Sequence, residues 1–130
     1  MNGMSKEVIR TEEAPIPRGP YSQAIRAGQY VFVAGQGPFE PKTSKMVEGG
    51  IEEQTRQTLE NVKSILSAAG LSLEDVVKVS VFLKDAKDFP KMNEVYRTYF
   101  TAEQPARTTV EADMVVDGML VEVDAIAHEA

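Results

Sequence analysis

The stretch from Met119 to Ala127 restricts the possible folds more than any other part of the chain, because apolar and mixed positions alternate in it without a break. Side chains of a β-strand point alternately to the two faces of a sheet, so this alternation is typical of a strand with one buried face. The buried side is wholly apolar and consists of Met119, Val121, Val123, Ala125 and Ala127. The other side carries two carboxylates, Glu122 and Asp124, between Leu120 and Ile126. Aspartate is rare in the middle of a strand, so this second face is predicted to have a chemical or interface role.

A second strand is predicted from Pro105 to Ala112, because proline suits the first residue of a strand. Arg107 and Thr109 then share one face of it. Asp117-Gly118 is typical of a two-residue turn, so we predict that this strand and the last one form an antiparallel hairpin. In that register one sheet face holds the Arg107 guanidinium together with the carboxylates of the last strand. The simpler alternative is a solvated outer surface with scattered charges, which is common for strands.

The composition is that of a globular protein, with 42% hydrophobic and 26% charged residues in a length of 130. No linker or repeat divides the chain, and we expect one domain spanning residues 1–130. Residues 1–11 lack the apolar segment of a signal peptide, and no run approaches the ~20 apolar residues of a membrane span. We therefore expect a cytoplasmic protein that does not bind membranes. The absence of cysteine excludes disulfides and thiolate nucleophiles.

The net charge of -6 and the pI of about 4.8 argue against a nucleic-acid-binding surface, which usually appears as a basic stripe on a basic domain. An anionic substrate would then be held by individual groups such as Arg107 rather than by a general positive field. The single histidine, His128, has no two carboxylates at ligand spacing, so no metal site is predicted.

Strand and helix patterns alternate along the whole chain. Strands are predicted at residues 6–11, after Pro20, and at 30–38, 76–84, 105–112 and 119–127. The apolar spacing from Ile51 predicts an amphipathic helix that ends at Gly70, and a second helix follows Asp88. The order β, β, β, α, β, α, β, β predicts an α+β fold with a six-stranded, mostly antiparallel sheet and two helices on one face.

Two of the predicted strands, 31–35 and 76–84, carry apolar residues on both faces. Two helices cover only one face of a sheet, so the second face needs another cover. We therefore predict self-association through the sheet, with functional sites in the clefts between subunits. The small residues of Ala34-Gly35-Gln36-Gly37 leave the backbone accessible for a close approach, but their spacing is not that of a phosphate-binding loop.

Seven stretches resemble, in order and in spacing, the RidA (YjgF-type) family of enamine/imine deaminases, and the resemblance covers nearly the whole chain. They are Gly19-Pro20-Tyr21-Ser22-Gln23-Ala24, Ala34-Gly35-Gln36, Gln54-Thr55-Arg56-Gln57 with Leu59-Glu60-Asn61, Val76-Val77-Lys78-Val79, Asp88-Phe89 through Asn93-Glu94-Val95-Tyr96 with Tyr99-Phe100, Pro105-Ala106-Arg107, and Val121 to Ala127.

The resemblance implies a chorismate-mutase-like α+β fold and a homotrimer with three clefts between neighbouring subunits. It also implies an activity like that of a 2-iminobutanoate/2-iminopropanoate deaminase. Such an enzyme hydrolyses reactive 2-enamino or 2-imino acids, for example 2-aminoacrylate, to 2-keto acids and ammonia, and it carries no cofactor. The expected partner is thus a small carboxylate substrate.

Position by position, the resemblance assigns the substrate carboxylate to Arg107, a backbone contact to Gly35, and the lining of the cleft to Tyr21 and Asn93. Asp124 is the candidate for proton transfer to and from the imine nitrogen and water. Ala34 and Thr109 complete the predicted substrate-binding set.

The sequence departs from the family pattern at three places: Asp124 stands where glutamate is usual, Ala34 where serine is usual, and residues 114–118 lack the usual Leu-Pro-Lys. These departures keep a second hypothesis open, in which the same clefts form a non-catalytic module that binds 2-keto acids or similar carboxylates. A ribonuclease role, suggested for some relatives, is disfavoured by the acidic charge and by the lack of a histidine pair. A chaperone-like protein without a ligand would make Arg107 dispensable.

Overall fold

The computed structural model of the protein describes residues 5–130. Its strands are β1 (Glu7–Ile9), β2 (Ala24–Ala27), β3 (Tyr30–Gln36), β4 (Val76–Leu83), β5 (Ala106–Glu111) and β6 (Val121–His128). Its helices are α1 (Ile51–Ala68) and α2 (Phe89–Tyr99), and short 3-10 turns at Leu73–Asp75 and Ala86–Asp88 precede β4 and α2. The predicted α+β architecture of six strands and two helices is confirmed.

All strands lie in one sheet with the order β1-β2-β3-β6-β4-β5. Every pairing is antiparallel except that of β4 with β5, which is parallel. The predicted hairpin of β5 with β6 is therefore wrong, because β4 lies between them. The eight-residue run Val76–Leu83 is the most apolar of the strands that follow α1, and a central place buries both of its edges.

The turn signal before β6 is nevertheless real. Met119 N–H donates to the Val116 carbonyl at 3.2 Å, and Gly118 between them has a φ of +88°, in the left-handed region that glycine occupies at little cost. The turn only ends a longer connection from β5, which runs past the end of β4. On the way, Ala112 N–H donates to the Leu83 carbonyl at 2.8 Å. A local turn thus forms without bringing together the two strands that flank it in sequence.

The two helices pack on one face of the sheet and bury its apolar residues. α1 begins after Gly50, whose N–H donates to the Glu53 carboxylate at 2.9 Å, and it ends before Gly70, which has a φ of +80°. The alternate residues of β6 that were predicted to be core, Val121, Val123, Ala125 and Ala127, are at most 2% exposed. They pack with α1 residues such as Leu59 and Val62, which are fully buried.

The opposite face, which we call the open face, is not covered by any element of the described chain. Phe32 of β3 and Val110 of β5 lie on it, and they are 45% and 44% exposed. Ile126 and Phe82 are half-buried beside them. Exposed apolar surface of this kind is typical of an interface. Neither helix of residues 5–130 combines the length and apolarity that crossing a membrane requires.

Candidate functional site

A cavity of about 410 Å³, here called the Glu122 cavity, lies where three irregular segments meet the end of the sheet. The segments are residues 15–21 before β2, 37–39 after β3, and 115–119 before β6, and the last residues of β3, 34–36, complete the wall. Its walls are mainly apolar, and its charged residues are Arg18 and Glu122. The described residues that line it are Pro15, Ile16, Pro17, Arg18, Gly19, Pro20, Tyr21, Gln23, Ala34, Gly35, Gln36, Gly37, Phe39, Val115, Val116, Met119 and Glu122.

The Glu122 carboxyl is packed over Gly35. A Cβ atom at Gly35 would lie 3.0 Å from Glu122 Cδ and closer still to Oε2, so any side chain there would displace the carboxylate. Burial raises the pKa of the Glu122 carboxyl above its usual range, and the negative charge of Asp124 raises it further. A carboxyl group with a raised pKa holds a proton more readily than an ordinary carboxylate, so it is suited to both giving and taking protons.

Tyr21 stands at the mouth of this cavity and is 49% exposed. Its hydroxyl accepts a hydrogen bond from Arg18 N–H at 3.1 Å, and its own N–H donates to the Gly19 carbonyl at 2.8 Å. The Arg18 guanidinium lies 3.8 Å from the centre of the Phe39 ring and donates to the Ser44 carbonyl at 2.6 Å. The segment that carries Tyr21 is thereby tied to the loop that follows β3.

A second concave surface of about 300 Å³, here called the Arg107 groove, lies between β5 and α2. The Arg107 guanidinium is 4.6 Å from the centre of the Tyr96 ring and 5.6 Å from that of Phe89, so its orientation is fixed by cation–π contacts. Asn93, one helical turn before Arg97, reaches the same groove. The lining residues are Asn93, Tyr96, Arg97, Gln104, Pro105 and Arg107. A planar cation beside an amide suits a carboxylate ligand.

The two surfaces lie on opposite faces of the sheet. Arg107 is in register with Val79, which is buried beneath the helices, whereas Glu122 is in register with Phe82 on the open face. The prediction that one face holds both the cation and the carboxylates is therefore wrong. It assumed direct pairing of β5 with β6, and the insertion of β4 with parallel pairing places Arg107 and Thr109 on the helix-covered face.

The other predicted residues are distributed between these two regions. Ala34 and Gly35 line the Glu122 cavity with Tyr21, and Asn93 accompanies Arg107. Thr109 follows Arg107 on the same face, and its hydroxyl is buried without a hydrogen-bond partner in the described chain.

Asp124 lies on the open face opposite Ser80, and it is not among the residues that line either cavity. The carboxylate that does line a cavity, Glu122, was seen in the sequence but not assigned a role. The sequence contains one relevant signal. The small residues Ala34-Gly35 leave room beside their backbone for a side chain such as the Glu122 carboxylate of β6. Within residues 5–130, no group of three or more histidine, cysteine or acidic side chains is placed to hold a metal ion.

Comparison with known proteins gives consistent matches over almost the full length. A family model described as Endoribonuclease L-PSP matches residues 11–129. A RutC family protein of Pyrococcus horikoshii is 58% identical over 124 residues, which cover 95% of this chain and 98% of that protein. The 2-iminobutanoate/2-iminopropanoate deaminase of Mus musculus is 39% identical over 127 residues, covering 98% and 94%. The crystal structure of RidA from Psychrobacter sp. PAMC 21119 superposes with a TM-score of 0.90 at 40% identity, covering 94% and 98%.

Proposed function

Because the chain belongs to the RidA (YjgF-type) family, which also contains proteins named RutC, we propose that it hydrolyses reactive 2-imino and 2-enamino acids to 2-keto acids and ammonia. The observation that carries the proposal is the Glu122 carboxyl, which lies over Gly35 in an apolar cavity with a raised pKa. Such a group can shuttle protons between water and an imine nitrogen. The Mus musculus relative bears the name of this activity.

The reaction asks little of the protein beyond orientation and proton transfer. An enamine first becomes an imine by gaining a proton on carbon and losing one from nitrogen. Water then adds across the C=N bond: its oxygen bonds to carbon, and Glu122 takes one of its protons and passes it to nitrogen, which gives a carbinolamine. In a second transfer the carboxyl moves the hydroxyl proton to nitrogen, the C–N bond breaks, ammonia leaves and the C=O bond forms. General acid–base help of this kind typically contributes ~10²–10⁴-fold in rate.

Arg107 is the proposed anchor of the substrate carboxylate. Its guanidinium offers parallel N–H donors that match the two carboxylate oxygens, and the rings of Tyr96 and Phe89 hold it in place. Asn93 can bind the same ligand from α2. Anchoring a small substrate in this way raises the rate by positioning its imine carbon.

The complete site is proposed to form between two copies of the chain. Arg107 and Glu122 face opposite sides of one sheet, so a small ligand cannot touch both within a single copy. A neighbouring copy that covers the open face, where Phe32 and Val110 are exposed, can bring its own Arg107 groove to the Glu122 cavity. Three such contacts would close a homotrimer with three equivalent clefts.

Proton transfer is assigned here to Glu122, with Asp124 as the competing candidate. Asp124 is two residues further along the same face of β6, and its charge acts on Glu122. In this proposal Asp124 keeps a proton on its neighbour to higher pH and does not itself touch the substrate.

The decisive experiment generates 2-aminoacrylate or 2-iminobutanoate in situ with an amino-acid-degrading enzyme and follows the appearance of the keto acid. The wild type should accelerate this release, and Arg107→Ala should lose the acceleration by ~10²-fold or more. Arg107→Lys is the matched control, since it keeps the charge but loses the planar fork, and an intermediate rate is expected. If the wild type binds keto acids through Arg107 but does not accelerate their release, the protein is a non-catalytic carboxylate-binding module.

A further inference from the structure

Most of the wall of the Glu122 cavity comes from three segments outside the strands and helices, residues 15–21, 37–39 and 115–119, so their backbone groups do not belong to the six-stranded ladder or to a helix. Backbone N–H and C=O groups that are buried need partners, and here those partners decide the shape of the cavity. In each wall one of these partners is a buried side-chain amide. The three amides are Gln23, Gln54 and Asn61, and each is at most 3% exposed.

Gln23 holds the wall before β2. Its side-chain Nε2 donates to the carbonyls of Thr11 at 3.0 Å and Pro15 at 2.9 Å, and Thr11 N–H donates back to Oε1 at 2.8 Å. The Gln23 carbonyl meanwhile accepts from Ala34 N–H at 2.9 Å. One residue therefore fixes the start of the Pro15–Tyr21 wall against the end of β3.

Asn61 holds the wall after β3. Its Nδ2 donates to the carbonyls of Gly37 at 3.0 Å and Phe39 at 2.9 Å. Its Oδ1 accepts from Gln57 Nε2 at 3.0 Å, so its amide orientation is fixed from within α1. The segment that follows Gly35, the residue under the Glu122 carboxylate, is thus attached to the helix core.

Gln54 holds the wall before β6. Its Nε2 donates to the Gly118 carbonyl at 3.0 Å, and Leu120 N–H donates to its Oε1 at 2.7 Å. Leu120 is two residues before Glu122, so this contact sets where β6 begins and where the carboxylate stands. Gln54 and Asn61 are seven residues apart, which is about two helical turns, so both amide side chains lie on one face of α1.

We propose that Gln23, Gln54 and Asn61 are positioning residues that fix the three cavity walls in advance of ligand binding, each acting on its own wall. The inference rests on the proposed function of the Glu122 cavity. Buried amides are costly to keep in a core unless they are fully bonded, and all three are. Thr55 and Thr58 of α1 are equally buried, yet their hydroxyls have no partner in the described chain. Burial of a polar side chain on this face of α1 therefore does not by itself mean that the side chain holds a cavity wall.

Hydrogen exchange of two backbone amides tests the proposal directly. Gln54→Met, which keeps the side-chain length but removes both contacts, should speed exchange at the Leu120 amide by ~10-fold or more and leave Thr11 unchanged. Gln23→Met should speed exchange at the Thr11 amide and leave the Leu120 amide unchanged. Gln54→Glu keeps the acceptor for the Leu120 N–H, so the Leu120 amide should stay protected from exchange in this variant. It serves as the second variant if Gln54→Met folds poorly. Thr58→Val is the control, and it should change neither amide.

Unchanged protection of Leu120 in Gln54→Met would overturn the proposal, and so would loss at both amides in either variant, which indicates general loosening. Turnover of the folded variants gives the second reading. Displaced walls should raise KM for the imino acid by ~10-fold, whereas a smaller folded fraction lowers only the apparent kcat. An unchanged KM in an active Gln54→Met would refute a role in positioning. If the wild type shows no turnover, the proposed function fails. Hydrogen exchange alone then tests whether Gln23, Gln54 and Asn61 fix the cavity walls.

Discussion

The Glu122 cavity and the Arg107 groove are built by opposite means. The cavity is assembled from three irregular segments that buried amides attach to the core, whereas the groove lies between a strand and a helix, with aromatic rings holding the arginine. The cavity contains a carboxyl group whose pKa is raised by burial, and the groove contains a cation. Proton transfer depends on a shaped, water-poor environment, while a carboxylate anchor depends on a rigid support. In the proposed site the two come from different copies of the chain.

The largest expected effect separates the two carboxylates of β6. Glu122→Gln should lower kcat by ~10²–10⁴-fold with little change in KM, because it removes the proposed proton-transfer group but leaves the proposed anchor, Arg107, intact. Asp124→Asn is the matched change on the same face, and its effect should be much smaller. The measurement is keto-acid release from an imino acid generated in situ. If kcat falls more in Asp124→Asn than in Glu122→Gln, Asp124 and not Glu122 is the proton-transfer group.

A methyl group at Gly35 should disturb only the cavity. Gly35→Ala places Cβ against Glu122, and displacement of the carboxylate by about 1 Å can cost ~10²-fold in rate. Keto-acid binding through Arg107, measured by calorimetry, should persist. Gly19→Ala is the control in the same cavity, because its Cβ would lie 3.7 Å from Tyr21 Cε2, an ordinary contact. Equal rate losses in both variants would argue against a specific contact between Gly35 and Glu122.

Mixing two inactive variants tests whether the two regions meet between copies. If Glu122→Gln and Arg107→Ala are unfolded and refolded together, random assembly into the proposed trimers should restore roughly a quarter of the sites, each with one intact Glu122 and one intact Arg107. The same variants mixed without an exchange step should stay inactive. No recovery after confirmed subunit exchange would contradict a site that combines Glu122 of one copy with Arg107 of another.

The smallest expected effect is on stability and concerns the cavity alone. A carboxyl whose pKa is raised in the folded state contributes stability below its ordinary pKa, and this contribution is lost as the pH rises through the raised value. Glu122→Gln cannot ionise, so its Tm should exceed that of the wild type at pH 7 by more than it does at pH 4. Glu94→Gln, an exposed change on α2, serves as the control. If the Tm difference between Glu122→Gln and the wild type is equal at both pH values, burial of the ionised Glu122 carboxylate does not lower the stability.

Much of the fold could be predicted from local patterns. The alternation in β6 correctly assigned its buried residues, and the apolar spacing with Gly70 correctly predicted α1. The resemblance named both Arg107 and Asn93, which the structure brings into one groove. The sequence pattern did not single out Glu122, which lines the cavity, because two carboxylates alternate with apolar residues in β6. Nothing in the strand itself distinguishes the one that faces Gly35 from the one that faces Ser80.

The sequence by itself determined which residues of each strand share a face, since the two-residue period is a property of the chain alone. Only the tertiary structure decided which strands are neighbours, and therefore which faces coincide. β5 has polar residues on both sides, Arg107 and Thr109 on one and Thr108 on the other, so its pattern does not indicate which side is covered. Its place beside β4 is set by long-range pairing between residues such as Val79 and Arg107. That pairing, and not the turn at Gly118, placed the cation and the carboxylate on opposite faces.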